Sequence, residues 1–408
     1  MKKNWYRWVM LSVYMIAVAV NQLLWITFAP ITHDATLYYG VSDILIGILS
    51  MSFMIVFIVV SIPASWIIDK YGIKIGVGTG VILTGVFGLL RGLVTDNYNL
   101  LLLSQIGVAI GQPFLLNAIT KVAARWFPPE ERATASGLGT LAMYVGILTG
   151  MILTPYLVKG SGIGNMLYVY GLMSVIVGVI FFLFAREHPA KKFADQEGDE
   201  RVLALEGMKQ MLTNRNFILL AIIFFIGLGV FNSVTTWIEN IVAPRGFTAV
   251  QAGITGGTMI AGGILGAFIM PIFSDHRRKR VPFIIIALVG ATLCLAGITF
   301  VTDYSLLIAS GIGFGFFLLS SGPIGFQYGA EITYPVSEGT SNGFLLLAGQ
   351  ISGIAMIFGM DSFKSVVTGS MTRPLIVMIS CLAIGFVLST RLKESSVFAT
   401  AESPEKQQ

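Results

Sequence analysis

The sequence predicts an all-α integral membrane protein with twelve transmembrane helices in two related halves of six. Three observations predict it: a composition too apolar for a soluble chain, twelve apolar runs of membrane-crossing length, and loop motifs that recur at a constant offset. Soluble domains carry roughly 25% charged residues. This chain carries 12%, with 55% hydrophobic residues and a mean hydropathy of +0.81.

A helix of about 20 residues crosses a ~30 Å hydrocarbon core. Apolar runs of that length fall at 8–32, 43–68, 74–94, 100–126, 133–158 and 164–185, and again at 216–241, 249–273, 282–301, 304–329, 343–366 and 372–391. The first follows Lys2, Lys3 and Arg7 in the manner of a signal peptide, but no small-residue cleavage site interrupts it, so it reads as a retained helix. Ser42, Thr248 and Asp303 stand where N-caps belong. Pro63, Pro113, Pro155, Pro271 and Pro323 fall inside runs, where bundled membrane helices tolerate them.

Charge supplies the topology. With the N-terminus inside, 21 of the 26 Lys and Arg residues fall on the cytoplasmic side, the exceptions being Arg91, Lys159, Arg245, Lys364 and Arg373. That bias follows from membrane insertion, so the net charge of +5 reads as topology rather than as a nucleic-acid footprint. The expected organisation is an N-terminal bundle over 1–186, a cytoplasmic linker over 187–215, a C-terminal bundle over 216–392 and a polar cytoplasmic tail over 393–408. In the linker, Val202, Leu203, Leu205, Met208, Met211 and Leu212 are spaced for an amphipathic helix on the membrane surface; a partly ordered linker is the alternative.

Two loop pairs report duplication. Asp69 and Asp275, each in a basic loop, are 206 positions apart, and the loops Phe127–Glu131 and Tyr334–Glu338 match at an offset of 207. Repeats of this kind place a substrate site at the midplane, with alternating access around it.

Polar side chains inside spans are costly and mark cavities or partners. Asn21, Gln22 and Trp25 fall within one turn, with Asn21 and Trp25 on one face. Gln105 and Gln112 share another face, and Asn232 and Glu239 a third. Together they describe a neutral, amide-rich chamber with aromatic walls, while any single amide is equally explained by an interhelical hydrogen bond. Trp237 reads as an anchor near the outer end of span seven. Asp34, Arg91 and Asp361 fall near outer helix ends. Glu239 is the one candidate for coupling or cation attraction, against a rim salt bridge with Arg245. Lys121, Arg125, Arg132 and Glu331 read as a cytoplasmic gate network. The pairs Gly146 and Gly150, Gly262 and Gly266, and Gly349 and Gly353 are spaced for close helix approach. Cys294 and Cys381 both lie in apolar runs, which leaves no disulfide framework or zinc spacing. No catalytic dyad, metal cluster or phosphate-cradling loop points to an enzyme.

The first cytoplasmic loop, with Asp69, Gly72 and Lys74, resembles the Asp-x-x-Gly-x-Arg/Lys signature of the major facilitator superfamily, with Ser65 where that family has Gly. The resemblance implies the major facilitator fold. It also implies that Asp69 latches a gate at the N-terminus of the eleventh helix near Ser341 to Gly343, and that Asp275 does the same near Ala133. The segments Gly325–Pro335, Ser337–Gly339 and Gly343–Gln350, with looser agreement over Asn21–Trp25 and Gln105–Leu116, resemble the feline leukaemia virus subgroup C receptor-related transporters. That branch moves choline and ethanolamine and has been linked to haem. The resemblance implies that Trp25, Gln112 and Gln350 hold a quaternary ammonium, with Asn232 standing where the family has Tyr.

The leading expectation is a facilitative transporter of a small organic cation or zwitterion, such as a choline-like amine, bound by Asn21, Gln22, Trp25, Gln112, Asn232, Gln350 and Glu239. Gating falls to Asp69, Gly72, Lys74, Arg125, Arg132, Asp275, Glu331 and Glu338. One competing reading is a proton-coupled exporter or a carrier of organic anions or drugs. Another is a non-transporting receptor or sensor. We expect a monomer in the plasma (cytoplasmic) membrane with both termini cytoplasmic. Its expected partners are a small-molecule substrate and the lipid bilayer, with no nucleic acid, cofactor or metal.

Overall fold

The computed structural model describes residues 5–187, 209, 211–336 and 338–394, and every regular element among them is helical. In chain order these are α1 (Tyr6–Ile26), α2 (Thr32–Tyr39), α3 (Asp43–Tyr71), α4 (Ile73–Leu93), α5 (Tyr98–Leu116), α6 (Ile119–Trp126) and α7 (Pro129–Phe184). There follow α8 (Arg215–Thr236), α9 (Ile238–Val242), α10 (Ala249–Arg277), α11 (Val281–Phe300), α12 (Tyr304–Thr333), α13 (Glu338–Ser362) and α14 (Thr372–Ser389). Among the described residues, eleven helical stretches are long and apolar enough to cross a membrane. One of them, Glu130–Phe184, runs for 55 residues and holds two spans joined at Gly162, whose φ of 80° and ψ of 168° suit a residue without Cβ. The described residues therefore carry the twelve expected spans.

Two spans end differently from the hydropathy pattern. Span one breaks after Ile26, continues through the 3₁₀ turn Ala29–Ile31, and resumes as α2. Pro30 has no N–H to continue the ladder, and the Thr27 hydroxyl donates back to the Leu23 and Leu24 carbonyls at 2.9 and 3.2 Å. Span seven ends at Thr236, so Glu239 lies beyond it in the short helix α9. At the expected caps, Asp303 accepts from the Leu306 N–H at 3.0 Å. Thr248 and Gln251 bond each other reciprocally through side chain and backbone at 3.0 and 3.3 Å, a capping box. Ser42 stands at the N-cap of α3 but its side chain makes no cap bond.

The described residues divide into two compact units, one comprising those up to 187 with 236–257 and the other those from 209 to 235 with 258–394. In the first unit, α1 packs along the first half of α7. A Cβ on Gly150 would sit 2.6 Å from the Ile26 side chain, and Gly146 meets the Ala19 carbonyl. The stretch 236–257 belongs to this unit because Trp237 seats its ring against Gly47, where a Cβ would approach it to 2.8 Å, and Gly253 abuts Met151. Trp237 is fully buried, so the interfacial anchor expected from the sequence is instead a packed core residue. In the second unit, Gly262 and Gly266 of α10 meet the backbones of Ile312 and Phe316, and Gly349 meets Leu228. Backbones approach closely where small residues line the contact. The hydrophobic positions Val202 to Met208 expected on the linker helix lie outside the described residues; beside them, Met211 is buried and Leu212 exposed.

Candidate functional site

The polar residues inside the first unit separate into two groups by what their side chains do. Asn21 is fully buried; its amide donates to Thr84 Oγ1 at 3.0 Å and to the Val108 carbonyl at 3.3 Å, and its Oδ1 accepts from Gln22 at 3.2 Å. It therefore ties α1 to α4 and α5. Gln105 donates to the Leu49 carbonyl at 3.2 Å, and the Trp25 indole N–H donates to the Ser50 carbonyl at 3.2 Å, tying α5 and α1 to α3. With its N–H engaged, Trp25 presents its ring as the remaining interacting surface.

Gln112 is different. It is buried on α5, makes no side-chain hydrogen bond among the described residues, and its polar atoms are not sealed from solvent. Asn232 and Gln350, both half-buried in the second unit, behave alike. An amide held in a span without a partner is costly unless it meets water or a ligand.

Glu239 is buried, and its carboxylate accepts from the His33 backbone N–H at 2.8 Å, capping the first turn of α2. Beside it Asn240 donates to Asp43 at 2.9 Å. Burial pushes the Glu239 carboxyl up to about 8; the His33 and Thr32 N–H groups oppose the shift and the charges of Asp34 and Asp43 add to it.

Each unit holds its own ionic network among the residues expected to gate. In the first, Asp69 pairs with Lys121 at 2.8 Å, whose ammonium also donates to the Ile68 carbonyl at 2.9 Å. Arg125 pairs with Glu187, and Arg132 Nε donates to the Phe127 carbonyl at 3.3 Å. Glu187 also accepts from the backbone N–H groups of Ile73 and Lys74 at 3.0 and 2.6 Å, so it caps α4 where the helix dipole favours an anion. This explains Gly72: its φ is 89°, and any Cβ there would collide with the Glu187 carboxylate.

In the second unit the buried Arg280 holds both Asp275 and Glu331, and Gln327 donates to Glu331 at 3.1 Å. Glu394 accepts from the N–H groups of Arg280 and Val281 at 3.1 and 3.0 Å, capping α11 as Glu187 caps α4. Thus Glu331 works with Arg280, while Lys121, Arg125 and Arg132 work with partners in their own unit. Glu338 opens α13, where its carbonyl accepts from Ser341 at 3.1 Å. Glu187, Arg280 and Glu394 are not among the residues that motif and polarity single out, although Arg186-Glu187 and Lys393-Glu394 repeat at an offset of 207, the same as the loop pair 127–131 and 334–338, and so mark the two caps.

Residues 10–357 match the family model of the Major Facilitator Superfamily. The chain belongs to this superfamily. As a member of the Major Facilitator Superfamily it is an integral membrane transporter, and the superfamily is one of transporters rather than enzymes. It is 29% identical over 367 residues to Solute carrier family 49 member A3 of Xenopus tropicalis, covering 85% of this chain and 76% of that one. It is 26% identical over 409 residues to the choline/ethanolamine transporter FLVCR1 of Felis catus, covering 95% and 72%. It is therefore related to the branch that its sequence motifs resemble. Among solved structures it is similar to a bacterial homolog of the human lysosomal transporter Spinster in an inward-facing, unoccupied conformation. The TM-score is 0.77 at 16% identity, over 96% of this chain and 98% of that one, a likeness of fold.

Proposed function

We propose that this member of the Major Facilitator Superfamily carries a small organic cation or zwitterion, of the size and chemistry of a choline-like amine, by facilitated alternating access. The observation that carries the reading is the set of amides at Gln112, Asn232 and Gln350 that have no partner among the described residues, neutral groups that suit a solute bearing a permanent charge and a hydroxyl. Trp25 supplies the aromatic face, with Asn21 and Gln22 holding its helix. Relatives named as choline/ethanolamine transporters support the same substrate class. Asn232 in place of an aromatic residue removes one cation–π contact, worth about 0.5–2 kcal/mol, so the preferred solute is one that hydrogen-bonds as well as stacks. The end of the first unit bearing Asp69, Lys74, Arg125 and Arg132 is the cytoplasmic one in this account. Asp69, Gly72, Asp275 and Glu338 act with these residues in gating, the protein works as a monomer in the plasma membrane, and both termini are cytoplasmic.

The test is binding and uptake by the purified full chain. Trp25→Ala is expected to weaken the binding of a quaternary amine by about 2- to 30-fold, the equivalent of that cation–π range, and Gln112→Leu to weaken hydroxylated amines more than tetramethylammonium. Unchanged affinities in both variants would remove these residues from recognition.

A second reading, proton-coupled transport, rests on Glu239 as a buried carboxyl that burial pushes up to about 8. Uptake driven only by a pH gradient, and lost in Glu239→Gln, would favour it.

A further inference from the structure

Arg91, in the last turn of α4, is only 1% exposed and is surrounded by α1, α2 and the second half of α7. Its Nη1 donates to the Leu24 carbonyl at 2.9 Å, near the end of α1, and its guanidinium lies 5.5 Å from the Phe28 ring centroid. Those contacts occupy one corner of the group and set an aromatic ring beside it. The opposite edge, formed by Nε and Nη2, is sealed from solvent and makes no hydrogen bond among the described residues. The Tyr39 hydroxyl is sealed and unpartnered in the same way, and Tyr39 and Tyr170 lie within electrostatic range of the guanidinium.

No described carboxylate forms an ion pair with Arg91. The nearest acid in sequence, Asp96, is engaged by Tyr38 at 2.9 Å and by Thr95 at 3.1 Å. Tyr170 is bonded to Thr154 at 2.9 Å. Among the described residues this buried permanent cation has only the partial charge at a helix end as a negative neighbour, and its bidentate edge is turned to no partner there. That edge is the one with which guanidinium binds anions in a fork.

From this arrangement we propose that Arg91 and Tyr39 form a site for a small monovalent inorganic anion of chloride size. Water would satisfy the free N–H and O–H groups but would leave the charge uncompensated, and a buried unpaired ion is far costlier than a buried bonded dipole. With Arg91 only 1% exposed, a small ion suits the position better than an organic solute. An open hollow of about 500 Å³ whose lining includes Tyr38, Gly92, Thr95 and Tyr168 adjoins the chain neighbours of both residues and offers a route in. The anion would fix the guanidinium that holds the end of α1, one residue from Trp25.

The experiment is thermal unfolding of the purified full chain while chloride replaces gluconate at constant ionic strength. A ligand that binds the folded state raises the midpoint in a saturable way. The wild-type protein is expected to show that rise, Arg91→Met to lose it, and Tyr39→Phe to need several-fold more chloride for the same shift. A midpoint equal in chloride and gluconate, or an undiminished chloride response in Arg91→Met, would overturn the proposal. Should Arg91→Met not fold, Tyr39→Phe decides: a chloride response identical to wild type overturns it. Crystals grown with bromide add a check that needs no variant, since anomalous density beside Arg91 supports the site and ordered water alone there refutes it.

Discussion

Replacing Glu239 by glutamine keeps the shape of the side chain and one acceptor for the His33 N–H, and removes only the ability to ionise. The carboxyl lies beyond the end of span seven and is 4% exposed, and burial raises it from 4.5 to about 8. Between those two values the folded state binds more protons than the unfolded chain, so stability falls as pH rises through this window. A difference of about 3.5 units at ~1.36 kcal/mol per unit amounts to at most about 5 kcal/mol, lost progressively from pH 5 to pH 9. Glu239→Gln is expected to match wild type near pH 5 and to be the more stable protein at pH 9, with a flatter profile between. The assay is the unfolding midpoint in detergent across that range, paired with amine uptake at each pH. Parallel profiles for the two proteins would refute the reasoning, because they would mean that ionisation of this carboxylate costs the fold nothing.

Three further outcomes follow from the packing and the networks. Glu187→Ala removes the acceptor for two backbone N–H groups and for Arg125; losing the cap alone is expected to cost about 0.5–2 kcal/mol, read as a lower unfolding midpoint. Glu394→Ala is expected to show a similar loss in the second unit, through α11, and a fall confined to one of the two variants would contradict the repeat. Gly146→Val is expected to cost about 1–3 kcal/mol through overpacking against Ala19, whereas Gly137→Ala, inside a helix with open space around it, should raise the midpoint slightly, by the roughly 0.5–1 kcal/mol that favours Ala over Gly there.

Much of the fold was legible because membrane insertion constrains sequence so tightly. The spans, the capping residues Thr248 and Asp303, and the close-packing glycines all followed from hydropathy, charge asymmetry and local chemistry. What hydropathy could not show is where a helix breaks inside an apolar run. Pro30 and Thr27 end α1 without any change in polarity, and Trp237 is as apolar buried against Gly47 as it would be at an interface. The site was legible only by type. Asn21, Gln105 and Gln112 look equivalent in sequence, yet Asn21 and Gln105 are committed to carbonyls and hydroxyls on neighbouring helices, and Gln112 is not. The pairings of Arg125 with Glu187 and of Arg280 with Glu331 join residues far apart in the chain, and the repeated basic–acidic pair after spans six and twelve hints only at the caps that Glu187 and Glu394 supply. Arg91 gives no sign of its burial in the sequence, because a position near an outer helix end says nothing of the rings and helices that close over it.

Facilitated carriage of a small organic cation through a neutral site is decided by uptake of radiolabelled choline into proteoliposomes holding the purified chain, with and without an imposed pH gradient. The expected result is saturable uptake that needs no gradient, is competed by other quaternary amines and is weakened in Trp25→Ala. Uptake that appears only with the gradient, or no saturable flux of any amine, would contradict it.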